Sequence, residues 1–373
     1  MKNHWQSDDT NRAKWVLSRR SIKLRQVAVD NAENDWEKLM EGIVKSASLI
    51  AFAAAPALAQ ETVTPKTYIR AEVDMSFSQF QLNAGSDVNR FYYIRKPTPL
   101  DAQAVVRMNR DTLYAGSVVD TEGGATITIP EFPDDRYFSI LVIDNDHYAP
   151  MVFYEPGTYE IPGDTKYIAL IKRIQIMDPS DPADVALVND MQNKFVIEAA
   201  SHDLFPEPQW DVDSMLALRA EYEKEFQKFS QYEPDWMGPR GGVNEETRHL
   251  AVAGAWGLFP EKDAVYINYT GPASAEACYT ATYEVPPNDA FWSITVYGAD
   301  GFMESDTNIV NDRNVSLNDD GTFTVHYGTA ALCGDQPNRV DISDGWNFLM
   351  RIYRPGQAVL NRTYTLPDVT GAN

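Results

Sequence analysis

The sequence predicts a mainly β protein with two tandem jelly-roll-like β-sandwich domains and a helical segment between them. Three observations predict this fold class. Residues 60–180 and 259–373 contain short apolar or alternating runs rich in β-branched residues, which is typical of strands. Residues 181–258 change to the spacing of a helix with one apolar face. A nine-residue pattern at 135–143 returns at 289–297, which predicts that one β unit occurs twice.

An apolar stretch at residues 46–59 predicts that the chain is exported. It is shorter than the about 20 residues that a membrane-spanning helix needs. Lys45 precedes it and an Ala-x-Ala cleavage pattern ends it, as in a secretory signal peptide. With Met40 as the start, residues 40–59 form a signal peptide of ordinary length, and residues 1–39 are interpreted as an over-extended gene start. The alternative is a true cytoplasmic extension before an internal apolar segment. Export places the mature protein in the periplasm or outside the cell.

The first β region is expected to consist of strands from Thr62 to about Ile176. Its short apolar runs are separated by Pro, Gly and Asp, the residues that favour turns. The clearest strands are predicted at 125–129, 137–143 and 167–171.

Three helices are predicted in the segment between the β regions. Asp181 and Pro182 have the types of an N-cap and a first-turn residue, and they open a helix expected to run to about Ala200. Asn244 marks the start of the third helix. The second helix is indicated by apolar residues at i, i+4, i+8 and i+11, namely Leu218, Tyr222, Phe226 and Phe229.

Strand patterns return after Phe259 and continue toward the end of the chain. Residues 318–321, Asn-Asp-Asp-Gly, are typical of a hairpin turn. Both copies of the repeated pattern follow a proline-containing turn, at Pro130 and at Pro286. Because turn, aspartate and strand match together at a constant offset, the sequence favours duplication over coincidence.

Two cysteines, Cys278 and Cys333, lie in the last third of the chain. In an oxidising compartment they are able to form a disulfide. The alternative is two buried free thiols, and the sequence leaves both open.

The charge of the chain excludes some partners. Its 373 residues contain 32 Lys and Arg against 54 Asp and Glu, a formal charge of −22. Nucleic acids and anionic membrane surfaces both require clustered basic residues, so neither is an expected partner, and no membrane contact is expected after signal cleavage. The chain also has no G-x-S-x-G, H-E-x-x-H or phosphate-binding loop motif.

The best candidate for a functional segment is 109–114, which combines an amide, a guanidinium, a carboxylate and a phenol within six residues. We predict that Asp111 is catalytic and that Asn109, Arg110 and Tyr114 bind substrate. The alternative is that Asp111 pairs with a nearby arginine and fixes the start of the strand, because buried polar groups often serve only to satisfy one another.

A second candidate follows the strongest predicted strand. Asp144, Asp146 and His147 could hold a divalent metal, or Asp144 and His147 could act as an acid–base pair. The alternative is a solvated turn in a very acidic protein. In the second copy of the repeat, Gly298 and Gly301 replace Asp144 and His147, as expected if only one copy carries a site.

Several motifs resemble known families. Met108–Tyr114 and Asp135–Tyr137 look like the bacterial domain-of-unknown-function family 1254. Ala264–Tyr266, Phe291–Tyr297 and Leu349–Pro355 look like its usual C-terminal companion, family 1214. The resemblance implies export and tandem jelly-roll-like domains with a helical insertion, and it implies no settled activity. Where members of family 1214 often carry Asn-Trp-Leu-Pro before the last strand, this chain has Asp-Gly-Trp-Asn, so a ligand contact there would differ.

Two functions fit these observations. The first is an exported hydrolase or lyase acting on a small organic or sugar-like substrate, with Asp111, Asp144 and His147 as acid–base or metal-binding groups. The second is a non-catalytic protein that binds a small-molecule ligand or assembles as a homo-oligomer. Fold cannot choose between them, because jelly rolls host both kinds of function.

Overall fold

The computed structural model describes residues 60–103, 106–133, 135–272 and 274–372. The predictions for residues 1–59, a gene-start extension and a signal peptide, lie outside the described residues. The described chain is mainly β, with several antiparallel sheets, so the predicted fold class is confirmed at that level. None of its helices is long and apolar enough to cross a membrane.

The elements of the described chain alternate between strands and short helices. The helices are α1 (Tyr68–Asn83), α2 (Pro182–Asn193), α3 (Val212–Phe226), α4 (Arg248–Gly254), α5 (Ala330–Cys333) and α6 (Gln357–Leu360). The strands of the N-terminal half are β1 (Glu61–Thr62), β2 (Tyr92–Tyr93), β3 (Thr112–Asp120), β4 (Ala125–Ile129), β5 (Phe138–Asp144), β6 (Met151–Phe153), β7 (Gly157–Glu160), β8 (Tyr167–Gln175), β9 (Val196–Ala199) and β10 (Trp210–Asp211). The strands of the C-terminal half are β11 (Ala264–Thr270), β12 (Tyr279–Tyr283), β13 (Trp292–Tyr297), β14 (Ile309–Asn311), β15 (Phe323–Tyr327), β16 (Arg339–Val340), β17 (Asn347–Tyr353) and β18 (Thr370–Gly371).

The N-terminal half contains a five-stranded sheet of order β2-β3-β8-β5-β6 and a three-stranded sheet of order β7-β4-β9. Alternate residues of each strand point to opposite faces, so each sheet has an inner and an outer face. The inner faces share one core, which includes Ile127 on β4, Ile140 on β5 and Leu170 on β8.

The C-terminal half repeats this strand order. Its four-stranded sheet is β11-β17-β13-β14, which matches β3-β8-β5-β6, and β12 pairs with β15 as β4 pairs with β7. The turn after each repeated strand is also the same: His147 N–H donates to Asp144 O over 3.0 Å, and Gly301 N–H donates to Gly298 O over 3.0 Å. His147 and Gly301 both have positive φ, +63° and +82°. The predicted repeat therefore extends from sequence to strand order and turn geometry.

The helical segment agrees with the sequence at its start and differs at its end. Asp181 caps α2, because its side chain accepts from Ala183 N–H over 2.8 Å. The helix ends at Asn193, and the prediction that it continues to Ala200 is wrong. Residues Val196–Ala199 instead form β9, which pairs with β4 and completes the three-stranded sheet.

The prediction of strands from Thr62 onward is wrong for α1. Tyr68, Ala71 and Phe77 lie on the buried face of this helix. Its sequence includes good helix formers such as Ala71, Glu72 and Leu82, and Tyr68 packs edge-on against Tyr222 of α3 at 4.9 Å. The helix thus packs with the helical segment, and its aromatic residues serve packing between helices.

The outer faces of the two large sheets pack against each other and form a further hydrophobic core. Tyr137, next to β5, packs against Phe291, next to β13, at 5.3 Å, and the helical segment adds Trp236 and Phe259. The described residues form one compact unit. Cys278 and Cys333 are joined by a disulfide, the first of the two alternatives that the sequence left open.

Candidate functional site

A row of polar side chains crosses the outer face of the N-terminal sheet. Arg173 on β8 lies opposite Tyr114 on β3 and opposite Ser139 on β5. Directly paired residues of antiparallel strands point to the same face, so the three side chains are neighbours. The row faces the C-terminal half of the molecule, because Arg173 lies 4.3 Å from the ring centre of Phe259.

The same row occurs on the outer face of the C-terminal sheet. Arg351 on β17 lies opposite Tyr266 on β11 and opposite Ser293 on β13. Ser293 is the residue that the sequence repeat aligns with Ser139. Each copy of the β unit therefore presents one tyrosine, one arginine and one serine at equivalent positions.

The two rows approach each other where the halves meet. Tyr137 and Phe291 are equivalent residues of the repeat, and they are in contact with each other. The two copies therefore meet through equivalent residues. Tyr353 stacks on Phe291 at 4.3 Å and completes the wall. We call the group that surrounds this point the arginine–tyrosine site: Tyr114, Arg173, Tyr266, Arg351 and Tyr353.

Arg351 is fully engaged by the protein. Its guanidinium donates to the Thr295 hydroxyl over 2.9 Å, to the Tyr297 hydroxyl over 2.7 Å and to the Arg107 carbonyl over 2.7 Å. It is 3% exposed. These partners hold the side chain in place, which is a structural role.

Arg173 lacks the corresponding partners. Its guanidinium donates a long hydrogen bond, 3.5 Å, to the Gly257 carbonyl and interacts with the Tyr114 phenol, and within the described residues its buried Nη1 atom has no hydrogen-bond partner. The repeat explains this difference in hydrogen bonding. Leu141 and Ile143 occupy the positions that are equivalent to Thr295 and Tyr297, the two side chains that accept from Arg351. Arg173 is 8% exposed and forms no ion pair within the described residues. A buried guanidinium without a counter-charge is costly.

The segment that precedes β3 closes one side of the site. Asn109 Nδ2 donates to the Tyr353 hydroxyl over 2.8 Å, and Asn311 Nδ2 donates to Asp111 Oδ1 over 2.9 Å. The segment therefore crosses from the N-terminal sheet to the C-terminal one, as the Arg107 carbonyl also does. This matches the alternative reading, in which polar groups around Asp111 fix the start of the strand.

Asp111 is nevertheless chemically unusual. It is 3% exposed, and burial raises the pKa of its carboxyl, while hydrogen bonds from Asn311 and Ser293 and the charge of Arg351 offset part of this effect. Its Oδ2 atom has no hydrogen-bond partner in the described chain.

The other predicted substrate-binding residues have different environments. Tyr114 lies in the arginine–tyrosine site, with its ring centre 5.2 Å from the Arg173 guanidinium carbon. Arg110 points away and forms a 2.8 Å ion pair with Asp306 near the surface.

Arginines neutralise the carboxylates of the second predicted cluster, which consists of Asp144, Asp146 and His147. Asp144 accepts from the N–H groups of Asp146 and Tyr148, and its other oxygen lies 3.1 Å from Arg240. Asp146 pairs with Arg240 and with Arg70 of α1. No group of three or more His, Cys, Asp or Glu side chains in the described chain is arranged to hold a metal ion. The geometry therefore does not support the metal assignment to Asp144, Asp146 and His147.

His147 is buried behind this turn. Its Nε2 accepts from Gly257 N–H over 3.3 Å, and its ring packs 5.5 Å from Trp256. Burial, with a contribution from the charge of Arg248, lowers the pKa of the imidazole to about 3, so it is neutral at physiological pH. The turn ties the N-terminal sheet to the helical segment.

The predicted trio of Asp111, Asp144 and His147 does not form one site. The Asp111 carbonyl accepts from Ile176 N–H, whereas Asp144 pairs with Ile168. Eight residues of extended chain separate those partners, about 26 Å at the rise of a β-strand. The grouping is therefore wrong, because both segments flank long strands but lie at opposite ends of them.

A narrow crevice of about 10 Å³, room for one water molecule, adjoins the arginine–tyrosine site. Phe259 and Tyr266 line it and also contact or neighbour Arg173. Its other walls include Tyr232, Leu258 and Val265. Glu233 and Glu261 also line it, so its lining is both polar and apolar.

Comparison with protein families accounts for both halves. Residues 88–150 match the model described as "Protein of unknown function (DUF1254)", and residues 268–357 match "Protein of unknown function (DUF1214)". The two matches follow one another along the chain in the order DUF1254, then DUF1214. The predicted resemblance and its order are confirmed. The DUF1254 match contains Tyr114 and Ser139, and the DUF1214 match contains Ser293 and Arg351. No curated protein matches the chain.

Two solved structures are similar to the paired DUF1254 and DUF1214 regions. The crystal structure of the VPA0106 protein from Vibrio parahaemolyticus has a TM-score of 0.63 at 15% identity, covering 82% of this chain and 97% of that one. A putative uncharacterized protein from Burkholderia cenocepacia has a TM-score of 0.47 at 15% identity, covering 80% of this chain and 88% of that one. The first likeness shows a shared fold.

Sequence reasoning missed Arg173 and Arg351. Each lies on a largely apolar strand, and each becomes informative only with its strand partners. A signal existed, because the aligned serines of the repeat lie directly opposite these arginines.

Proposed function

We propose that the protein binds a small organic anion at the arginine–tyrosine site, with Arg173 as the anchor. The observation that carries this proposal is the buried guanidinium whose Nη1 has no partner, while its equivalent in the other copy has three. Arginine donates paired hydrogen bonds that match a carboxylate. The neighbouring Tyr114, Tyr266 and Tyr353 hydroxyls offer further donors.

We also propose the finer architecture and the location. Two tandem jelly-roll-like β-sandwiches, spanning 60–180 and 259–373 with the helical segment 181–258 between them, agree with the repeated strand order. Export to the periplasm or medium agrees with the disulfide, because such bonds persist in oxidising compartments. An exported anion-binding protein agrees with the absence of a catalytic signature in the sequence.

The test is ligand-induced stabilisation of the purified protein. Thermal unfolding is measured with sodium acetate, benzoate and sulfate at constant ionic strength. A ligand at 100 times its Kd stabilises the fold by about 2.7 kcal/mol. Arg173→Met should abolish the stabilisation, whereas Arg90→Met, a control whose side chain is 62% exposed, should preserve it. If no anion stabilises the wild type, or if Arg173→Met responds like the wild type, the proposal is wrong.

Acid–base hydrolysis is a second candidate, favoured by a pair of carboxyls at the seam of the halves. Asp312 is partly exposed, and burial, with a contribution from Asp111, raises its pKa to about 6. Protonated Asp111 would give its proton to the leaving oxygen, while Asp312 takes one from the water that bonds to carbon. Release of 4-nitrophenol from 4-nitrophenyl esters and glycosides should then fall in Asp111→Asn and in Asp312→Asn. No release by the wild type, or unchanged release by both variants, contradicts this candidate.

A further inference from the structure

A groove of about 360 Å³ opens on the N-terminal half, where helix α1, the turn after β5 and residues 205–210 form its walls. Small-molecule sites commonly have about 300–1,000 Å³, so the groove has the size of one. Tyr167 also lines it, and Arg173 follows six residues later on β8. At the rise of a β-strand these two residues are about 20 Å apart, so the groove is separate from the arginine–tyrosine site.

The turn after β5 differs from its equivalent in the second copy of the repeat. Asn145, which lines the groove, corresponds to Ala299. The second turn is joined to the chain before β3, because Arg107 N–H donates to the Gly301 carbonyl over 2.8 Å. The amide at the groove is therefore a feature of the first copy and is not required by the shared fold.

Asp74 of α1 offers hydrogen-bond acceptors to the groove. Its Oδ1 accepts from Asn145 Nδ2 over 2.7 Å, and its Oδ2 accepts from Trp210 Nε1 over 2.9 Å. A carboxylate has about four acceptor positions, so about two remain for a ligand. The two protein donors also hold the carboxylate and the indole ring in place.

Arg70 places hydrogen-bond donors next to those acceptors. It lies four residues before Asp74, on the same face of α1, and it also lines the groove. Its Nη2 binds Asp146, and the other guanidinium nitrogens form no hydrogen bond within the described residues. Donors and acceptors are thus available side by side.

This arrangement matches a neutral ligand with adjacent hydroxyls. A hydroxyl both donates and accepts, so two neighbouring hydroxyls can donate to Asp74 and accept from Arg70. An anion would meet Asp74 together with Glu61 and Glu207, two exposed acids that also line the groove. A cation would meet the Arg70 guanidinium, and a neutral ligand avoids both repulsions.

We propose that this groove binds a neutral sugar, with adjacent hydroxyls on Asp74 and Arg70 and the sugar ring against Trp210. Trp210 is half-buried and lines the groove, so it supplies an apolar surface beside the polar groups. A sugar ring has a face of C–H groups that packs on an aromatic ring and an edge of hydroxyls that needs polar partners. The proposal does not depend on anion binding at Arg173.

Ligand-observed NMR titration of the purified protein tests the proposal with three neutral sugars: methyl glucoside, methyl galactoside and N-acetylglucosamine. At least one should bind with a Kd below about 10 mM. Glucuronate, a sugar acid, and choline, an organic cation, should each bind at least about 5-fold more weakly.

Two variants locate the sugar. Arg70→Met and Asp74→Asn should each weaken its binding at least about 10-fold, because each removes hydrogen bonds between a charged group and a hydroxyl. In Arg70→Met, Asp146 keeps its 2.8 Å pair with Arg240. Asp74→Asn leaves one protein donor without its acceptor, so if that variant fails to fold, Arg70→Met decides alone. The control Arg90→Met, at a side chain that is 62% exposed, should bind like the wild type.

Three results would overturn the proposal. The first is that none of the neutral sugars binds with a Kd below about 10 mM. The second is that glucuronate or choline binds as tightly as the best neutral sugar, which would make the groove an ion site. The third is that Arg70→Met binds the sugar like the wild type, which would place the sugar elsewhere on the molecule.

Discussion

The duplicated arginines give a sharp prediction about stability. Arg351→Met keeps most of the buried stem of the side chain and removes its charge. The Thr295 hydroxyl, the Tyr297 hydroxyl and the Arg107 carbonyl then lose their donor. Each buried acceptor without a partner costs about 1–3 kcal/mol. Because Tyr297 still donates to the Met108 carbonyl over 2.9 Å, the lower part of that range applies. We expect the free energy of unfolding to fall by about 4 kcal/mol.

Arg173→Met is the matched comparison. The same change at the equivalent position removes one long hydrogen bond and a buried charge without an ion pair in the described chain. Replacing an uncompensated buried charge by an apolar side chain is often neutral or stabilising. Without ligand we therefore expect this variant to stay within about 1 kcal/mol of the wild type, or to exceed it.

Urea unfolding of both variants and the wild type measures the difference. A loss of about 4 kcal/mol moves the midpoint by more than about 1 M for slopes of 1–3 kcal/mol/M. Equal losses in the two variants would refute the reasoning, because they would mean that Arg173 is as firmly held by the protein as Arg351.

Three further predictions concern groups outside the site. Burial lowers the pKa of Lys172. At pH values between its pKa in the folded chain and about 10.4 in the unfolded chain, the unfolded chain binds a proton that the folded chain does not. Wild-type stability should therefore rise with pH across that window by at most about 1.4 kcal/mol per unit, and Lys172→Met should lack this slope in urea unfolding. By the same linkage, the neutral His147 with a pKa of about 3 should cost the wild type stability as pH falls below about 6.5. His147→Asn tolerates positive φ and should remove this acid sensitivity, so an unchanged profile contradicts the assignment. Cys278→Ser opens a disulfide that spans 55 residues and should lower the free energy of unfolding by about 4 kcal/mol, whereas an unchanged value after reduction of the wild type contradicts the bond.

Local signals predicted much of the fold. The β-branched run at 125–129 and the capped start of the helix at Pro182 correspond to β4 and α2. Where prediction failed, a partner elsewhere in the chain decided the conformation. Residues Val196–Ala199 form a strand because they pair with β4. The α1 segment is a helix, and its aromatic face packs on α3.

The candidate site was only partly predictable for the same reason. Asn109, Asp111 and Tyr114 lie close together in the sequence and do reach the seam between the halves. Asp144 and His147 also follow a conspicuous strand, yet they lie at its far end, where Arg240 occupies the carboxylates. A strand of several residues separates its two ends by more than any hydrogen bond spans.

By itself, the sequence determined the mainly β class, the resemblance to two families and the repeated nine-residue pattern, because all three depend on local sequence patterns. The tertiary structure decided which residues form the site. Two copies of one Tyr–Arg–Ser row meet only when the outer faces of their sheets pack together. Only in the packed structure do the hydrogen bonds of Arg173 and Arg351 differ, because a hydrogen bond depends on which groups are neighbours in space.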